Sequence, residues 1–364
     1  MIKKIITLIM VGMLSAPTFF CQHSTPKNII ILIGDGMGLS QVSASVLLDK
    51  SNPYQKFQFI GLINTSSNDN FVTDSGASGT AYATGYRTKN RMISVDENGN
   101  ELMNIFDVAQ KKKKSTGVVV TSSITNATPA TFLAHNGSRK EEFAIAEQIC
   151  RSNTDVLIGA GTDFFLPKNL GGKREDNLNY LDSMSSKGYT IIKDTSKINE
   201  LSKHKKVFGV FSNVSLPWAN KRKFSLGDLT NQAIQILSKD KDGFVLMVEG
   251  SQIDWAADKN DKNYLFGELK DFNSAIKTSL EFAERNKNTL VVVLADHDTG
   301  SLGLSNQNKD TGEIDVVWAT KLHTANFVGI FSYGPSAQIF SGFQKNYEVG
   351  RKLQNLIDPL KKWK

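Results

Sequence analysis

Short, unbroken apolar runs recur along this chain, and helical patterns stand between them. NIIILIGDGMG reads as a buried strand over Ile29 to Ile33 that runs into a glycine loop. Helical ELMNIFDVAQKKKK precedes the run TGVVVTSS, FAIAEQICR precedes DVLIGAG, and LTNQAIQILSK precedes GFVLMVEGS. A long helical stretch, LFGELKDFNSAIKTSLEFAERN, leads into TLVVVLADHDTG, and FVGIFSYG is one more strand. Strands that are apolar throughout, rather than alternating, are covered on both faces. The pattern therefore predicts an α/β fold: a three-layer sandwich with a central, mostly parallel sheet covered by helices on both faces. The chain has 364 residues, 40% hydrophobic and 22% charged, enough for a sizeable core. No repeat or linker interrupts it, so residues 26–364 are expected to form one domain. The more polar stretch near 163–224 is expected to decorate its rim.

The first residues, MIKKIITLIMVGMLSAPTFFC, have a lysine pair, an apolar run and then small residues, the layout of an export signal. Residues 1–25 are read as that signal, with a periplasmic or secreted mature chain. Lipid attachment at Cys21 is the alternative, disfavoured by bulky Phe20. Without Cys21, Cys150 has no partner for a disulfide. No later apolar run suggests a transmembrane segment. The formal charge of +7 comes largely from scattered lysines such as Lys111 to Lys114. It reads as a solvated basic surface, at most a weak lure for anionic substrates. No basic stripe interleaved with aromatics suggests a nucleic-acid ligand.

Polar residues follow the predicted strand ends, where ligands bind in open α/β sheets. Asp35 follows IIILI, Glu249 follows FVLMV, Asp296 and His297 follow TLVVVLA, and Thr128 lies in the loop after GVVVTSS. Acids and imidazoles gathered on one edge repel and desolvate one another unless a cation neutralises them, and divalent metals do so. Of the five histidines, His23 lies beside the signal, His204 lies among lysines, and His135 reads as structural. His297 and His323 remain as candidate ligands for zinc, or for a mixed zinc and magnesium site. Asp254 and Asp258 lie four residues apart, on one face of a helical turn. They could clamp one metal or form a solvated acidic face.

TDSGASGTAYATG, Thr73 to Gly85, is one small residue after another. If a helix begins at Ser75, its free N–H groups and dipole favour an anion there. Small residues would then let a substrate approach; close helix packing is the alternative. Arg139 could grip a phosphate in bidentate fashion.

In sum these residues resemble the metal-dependent alkaline phosphatases. The likeness runs in order through LIGDGMG, VTDSGASGTAYATG, NATPATFLAHNGSR, VEGSQIDW, LADHDTG, LHT and YGPSAQIFSG. It implies an exported phosphomonoesterase with two Zn²⁺ and one Mg²⁺, acting on small phosphate monoesters, in a family whose members are often homodimers. Ser75 would become a phosphoserine, Arg139 would bind the phosphate, and Asp74 would orient that arginine. Asp35, Asp296 and His297 would hold the zinc that activates Ser75, with Asp35 bridging to magnesium. Glu249 and Thr128 would complete the magnesium site. Asp254, Asp258 and His323 would hold the second zinc. Asn126 and Trp255 are expected near substrate or just behind the metals. Two positions depart from the family pattern: Asp258 replaces the usual histidine, and Asn126 stands where many relatives have Asp or His. The alternatives are a phosphodiesterase or sulfatase of the same superfamily, against which the Glu249–Thr128 pair argues, and a catalytically weak phosphate- or metal-binding homologue.

Overall fold

A computed structural model describes residues 25–363. The expected leader, Cys21 included, lies outside these but for Thr25. In chain order the strands are β1 (Asn28–Gly34), β2 (Phe59–Asn64), β3 (Ser115–Ser123), β4 (Val156–Ala160), β5 (Thr190–Ile192), β6 (Val207–Val210) and β7 (Phe244–Gly250). They continue with β8 (Thr289–Ala295), β9 (Asp298–Thr299), β10 (Leu302–Gln307), β11 (Ile314–Trp318), β12 (His323–Thr324), β13 (Val328–Tyr333) and β14 (Gly342–Lys345). Ten of them form one sheet in the order β14-β2-β13-β8-β1-β7-β3-β4-β6-β5. All its pairings are parallel except those of β13, which runs antiparallel to both β2 and β8.

Every residue of β1, β7 and β8 is buried, as expected of strands sandwiched between helix layers. One helix layer groups Leu39–Leu48, Leu226–Leu237 and the long Lys262–Arg285. The other groups Ser75–Thr84, Ile105–Lys111, Ala127–Leu133 and Asn346–Ile357. The fold is thus the three-layer α/β sandwich with a mostly parallel sheet. The polar stretch after residue 163 contributes β5 and β6, two short strands at one edge of the sheet. At the opposite end β2 leaves Ile60 and Leu62 partly open to solvent.

The register of the central strands builds the site. Gly34 at the end of β1 pairs with Gly250 of β7 and with Ala295 of β8, and Ile33 pairs with Glu249. The chain therefore leaves the sheet at one level in all three strands. That puts Asp35, Glu249 and Asp296 on the same edge.

Candidate active site and metal centre

Asp35, Asp296 and His297 come together at that edge, all buried. His297 Nε2 lies 3.4 Å from Asp35 Oδ1 and 3.3 Å from Asp296 Oδ2. Asp296 Oδ1 is fixed by the N–H groups of Gly36 and His297, both at 3.0 Å. A second group joins Asp254, His297 and His323. His323 Nε2 lies 3.5 Å from Asp254 Oδ1, and the two imidazoles stack with centroids 3.6 Å apart. The antiparallel pairing of β12 with β9 sets His323 opposite Thr299.

Four buried atoms here have no hydrogen-bond partner: Asp35 Oδ1, Asp296 Oδ2, Glu249 Oε1 and Thr128 Oγ1. Buried acceptors left open in this way are costly unless a cation takes them. Burial pushes Glu249 up to about 8, even though Ser251 donates to its Oε2 at 2.7 Å. Thr128 faces the same carboxylate and draws it down, without completing a hydrogen bond of normal geometry. Burial, then the repulsion of Asp296, Asp254 and Glu249, raises Asp35 well above the usual carboxylate range. Burial also raises Asp296. Burial and the neighbouring His323 push His297 down to about 3. So neutral an imidazole is a poor base for a serine but a good metal ligand. The open acceptors, the mutually repelling carboxylates and the neutral nitrogen together suit divalent cations.

Ser75 begins the ten-residue helix Ser75–Thr84, in which every residue is buried. Its Oγ lies 3.3 Å from His297 Nε2. Asp74 is the N-cap, and its Oδ1 accepts from the N–H groups of Ala77 and Arg91, both at 3.0 Å. Asp74 Oδ2 accepts from Arg139 Nη1 at 2.9 Å. Burial raises the Asp74 carboxyl, but Arg139 and these two amides more than offset it and hold it below its ordinary value. Asp35 and Asp254 add to the field that keeps Arg139 charged. The serine therefore lies between a helix N-terminus, an oriented guanidinium and the carboxylate–imidazole groups.

The small residues of this helix serve packing at named places. A Cβ on Gly79 would come within 2.8 Å of Thr131 Oγ1, and one on Gly76 within 3.0 Å of the Met92 carbonyl. Gly85 closes the helix in the left-handed conformation, with φ 77°.

Asp258 ends the helix Gln252–Asp258, is exposed, and belongs to neither ligand group. Burial of part of its carboxyl and the nearby Asp254 raise it to about 6, against the pull of His323. Asn126 precedes the helix Ala127–Leu133 and makes no side-chain cap bond. Trp255 is half-buried against the core, beside Asp254. His135 bonds the Leu102 carbonyl at 3.0 Å, and His204 ends a 3₁₀ turn. Sequence reasoning missed Thr299 and Ser251. Thr299 Oγ1 donates to Asp254 and lies 3.2 Å from His297 Nδ1, tying the two ligand groups together. Both residues sit inside motifs quoted above, yet a hydroxyl near a ligand carries no signal of its own in sequence.

An open α/β sheet with a carboxylate–imidazole metal centre and a helix-terminal serine at its edge is the class these features define. The model of the alkaline phosphatase family matches residues 26–313, and the chain belongs to that family. Alkaline phosphatase 3 of Bacillus subtilis is 40% identical over 297 residues, covering 76% of this chain and 62% of the relative. Alkaline phosphatase 4 of the same organism is 37% identical over 314 residues, covering 81% and 66%. The chain thus spans less than two thirds of the length of either. Among solved structures, the alkaline phosphatase of the Antarctic bacterium TAB5 superposes with a TM-score of 0.86 at 36% identity, covering 92% of this chain and 99% of that one. Among the described residues, no helix is long and apolar enough to cross a membrane.

Proposed function

We propose that this chain is an exported alkaline phosphatase that hydrolyses small phosphate monoesters through a phosphoserine on Ser75. The observation that carries the reading is the set of open buried acceptors beside a serine at a helix N-terminus, with an arginine oriented by Asp74. Asp35, Asp296 and His297 would hold one zinc. Asp254, His323 and the more distant Asp258 would hold the other, and Asp35, Glu249 and Thr128 a magnesium. A variant of the TAB5 enzyme is described with magnesium in its M3 site, which supports magnesium in this family. Metals bound there would supply positive charge to the attacking, leaving and transferring oxygens.

The protein's own groups do the rest. Arg139 orients the phosphate, and the free N–H groups at the start of the Ser75 helix favour its negative charge. Ser75 Oγ forms a bond to phosphorus as the bond from phosphorus to the substrate alcohol oxygen breaks; the serine proton passes to solvent and the departing oxygen takes one up, leaving as the alcohol. Water then attacks the same phosphorus from the vacated side, and Ser75 is regenerated with release of phosphate. Asn126 and Trp255 would contact substrate or stand behind the metals, and a homodimer is the expected assembly. The test is hydrolysis of a chromogenic phosphate monoester by metal-stripped protein before and after refilling with Zn²⁺ and Mg²⁺. A diester and a sulfate ester serve as controls. Monoester turnover restored by metal, and exceeding that of both controls, is expected. Faster diester or sulfate ester hydrolysis, or no turnover by folded, metal-filled protein, would overturn the reading.

A further inference from the structure

One carboxylate closes the segment between the magnesium-side turn and the arginine. β3 ends at Ser123, and the Asn126 N–H donates to the Ser123 carbonyl at 3.0 Å to form a turn. The helix Ala127–Leu133 then carries Thr128. Further on, the Arg139 N–H donates to the Arg91 carbonyl at 2.7 Å, and a new helix starts at Glu142. Glu142 Oε2 reaches back and accepts from Thr125 Oγ1 at 2.6 Å and from Ser123 Oγ at 3.1 Å. Both hydroxyls are on buried residues, and Glu142 itself is half-buried. On its other side the helix Ala127–Leu133 is seated by Thr131 against Gly79 of the serine helix.

We propose that Glu142 is a positioning residue whose latch on Ser123 and Thr125 holds the Asn126–Thr128 turn in register with Arg139. The inference rests on the reading in which Thr128 and Glu249 bind magnesium. Losing the latch lets the turn and the arginine segment drift apart. Magnesium affinity and phosphate affinity then fall together. A residue that merely stabilised the fold would lower the melting temperature without moving both constants.

The experiment is calorimetric titration of Mg²⁺ into the full chain lacking its leader, stripped of metal and refilled with Zn²⁺. Inhibition by inorganic phosphate is measured in parallel. Glu142→Ala is expected to weaken Mg²⁺ binding about tenfold, as removal of groups that orient metal ligands does, and to raise the phosphate inhibition constant several-fold. Glu142→Gln keeps one acceptor oxygen and is expected to recover most of both. Thr125→Val removes the shorter bond alone, leaves the helix start intact, and is expected to show a smaller joint loss even if Glu142→Ala does not fold. Variants within about twofold of the parent in both constants, less than one hydrogen bond is worth, would overturn the latch. So would a Glu142→Gln protein as weak as Glu142→Ala. A parent chain that binds no Mg²⁺ would sink the magnesium reading itself, an outcome told apart because it involves no variant.

Discussion

Asp74 carries two loads on separate oxygens, and two substitutions separate them. Oδ1 accepts from Ala77 and Arg91, while Oδ2 accepts from Arg139. Asp74→Asn can keep a carbonyl oxygen in the first position and sets an NH₂ group against the guanidinium in the second. A charged hydrogen bond is worth about 1.5–3 kcal/mol. The side chains of Arg139 and Asp74 are 27% and 15% exposed, so the pair is partly screened. About 1.4 kcal/mol is left, or about tenfold in phosphate affinity. Asp74→Ala also removes the helix cap, about 1 kcal/mol, and the Arg91 bond, about 1 kcal/mol. In a chain this large, about 2 kcal/mol lowers the melting temperature by about 2–4 °C. The assays are phosphate inhibition of monoester hydrolysis and a thermal melt. Both variants lose the Arg139 bond and are expected to raise the inhibition constant, while alanine, lacking the cap and the Arg91 bond as well, is expected to melt about 2–4 °C below asparagine. Equal melting losses for the two variants, or an unchanged inhibition constant in Asp74→Asn, would refute this division of labour.

Three further outcomes are expected. Gly79→Ala drives a methyl group against Thr131 Oγ1, which bonds the Thr128 carbonyl at 2.7 Å. It is expected to cost about 1–3 kcal/mol by overpacking, read as a lower melting temperature, and to weaken Mg²⁺ binding. In metal-free protein, Glu249 is raised from 4.5 to about 8, so its contribution is complete below pH 4.5 and is lost as the pH rises through 8. Melting temperature is therefore expected to fall over that window without metal, and to fall much less after refilling, in a fluorimetric pH series. Burial pushes the Cys150 thiol up to about 12, so alkylation at pH 8 is expected only after unfolding, as mass spectrometry would show.

The sheet was legible where strands are buried on both faces, because nothing but continuous apolar sequence fits there. β2 escaped notice: its sequence FIGLIN is only half buried, and Gly61 and Asn64 break the apolar run. β14 is short, mostly exposed and likewise carries no strong signal. The acids at strand ends were legible because register puts equivalent positions of neighbouring strands at one level. Side-chain reach was not legible. Asp254 and Asp258 share a helix face by spacing, yet one is buried in a ligand group and the other ends the helix in solvent. The small residues around Ser75 admitted two explanations, and Gly76 and Gly79 answer to packing. Glu142 meets its partners across 17 and 19 residues, a contact that only the folded chain creates.

The central claim is that Ser75 receives the phosphoryl group. The most direct measurement is mass spectrometry of the peptide containing Ser75, after metal-filled protein is mixed with a phosphate monoester and quenched in acid. The account predicts a peptide heavier by one phosphoryl group, localised to Ser75 and absent from metal-stripped protein and from Ser75→Ala. Steady monoester turnover with that peptide unmodified, or turnover that survives in Ser75→Ala at the parent rate, would contradict it.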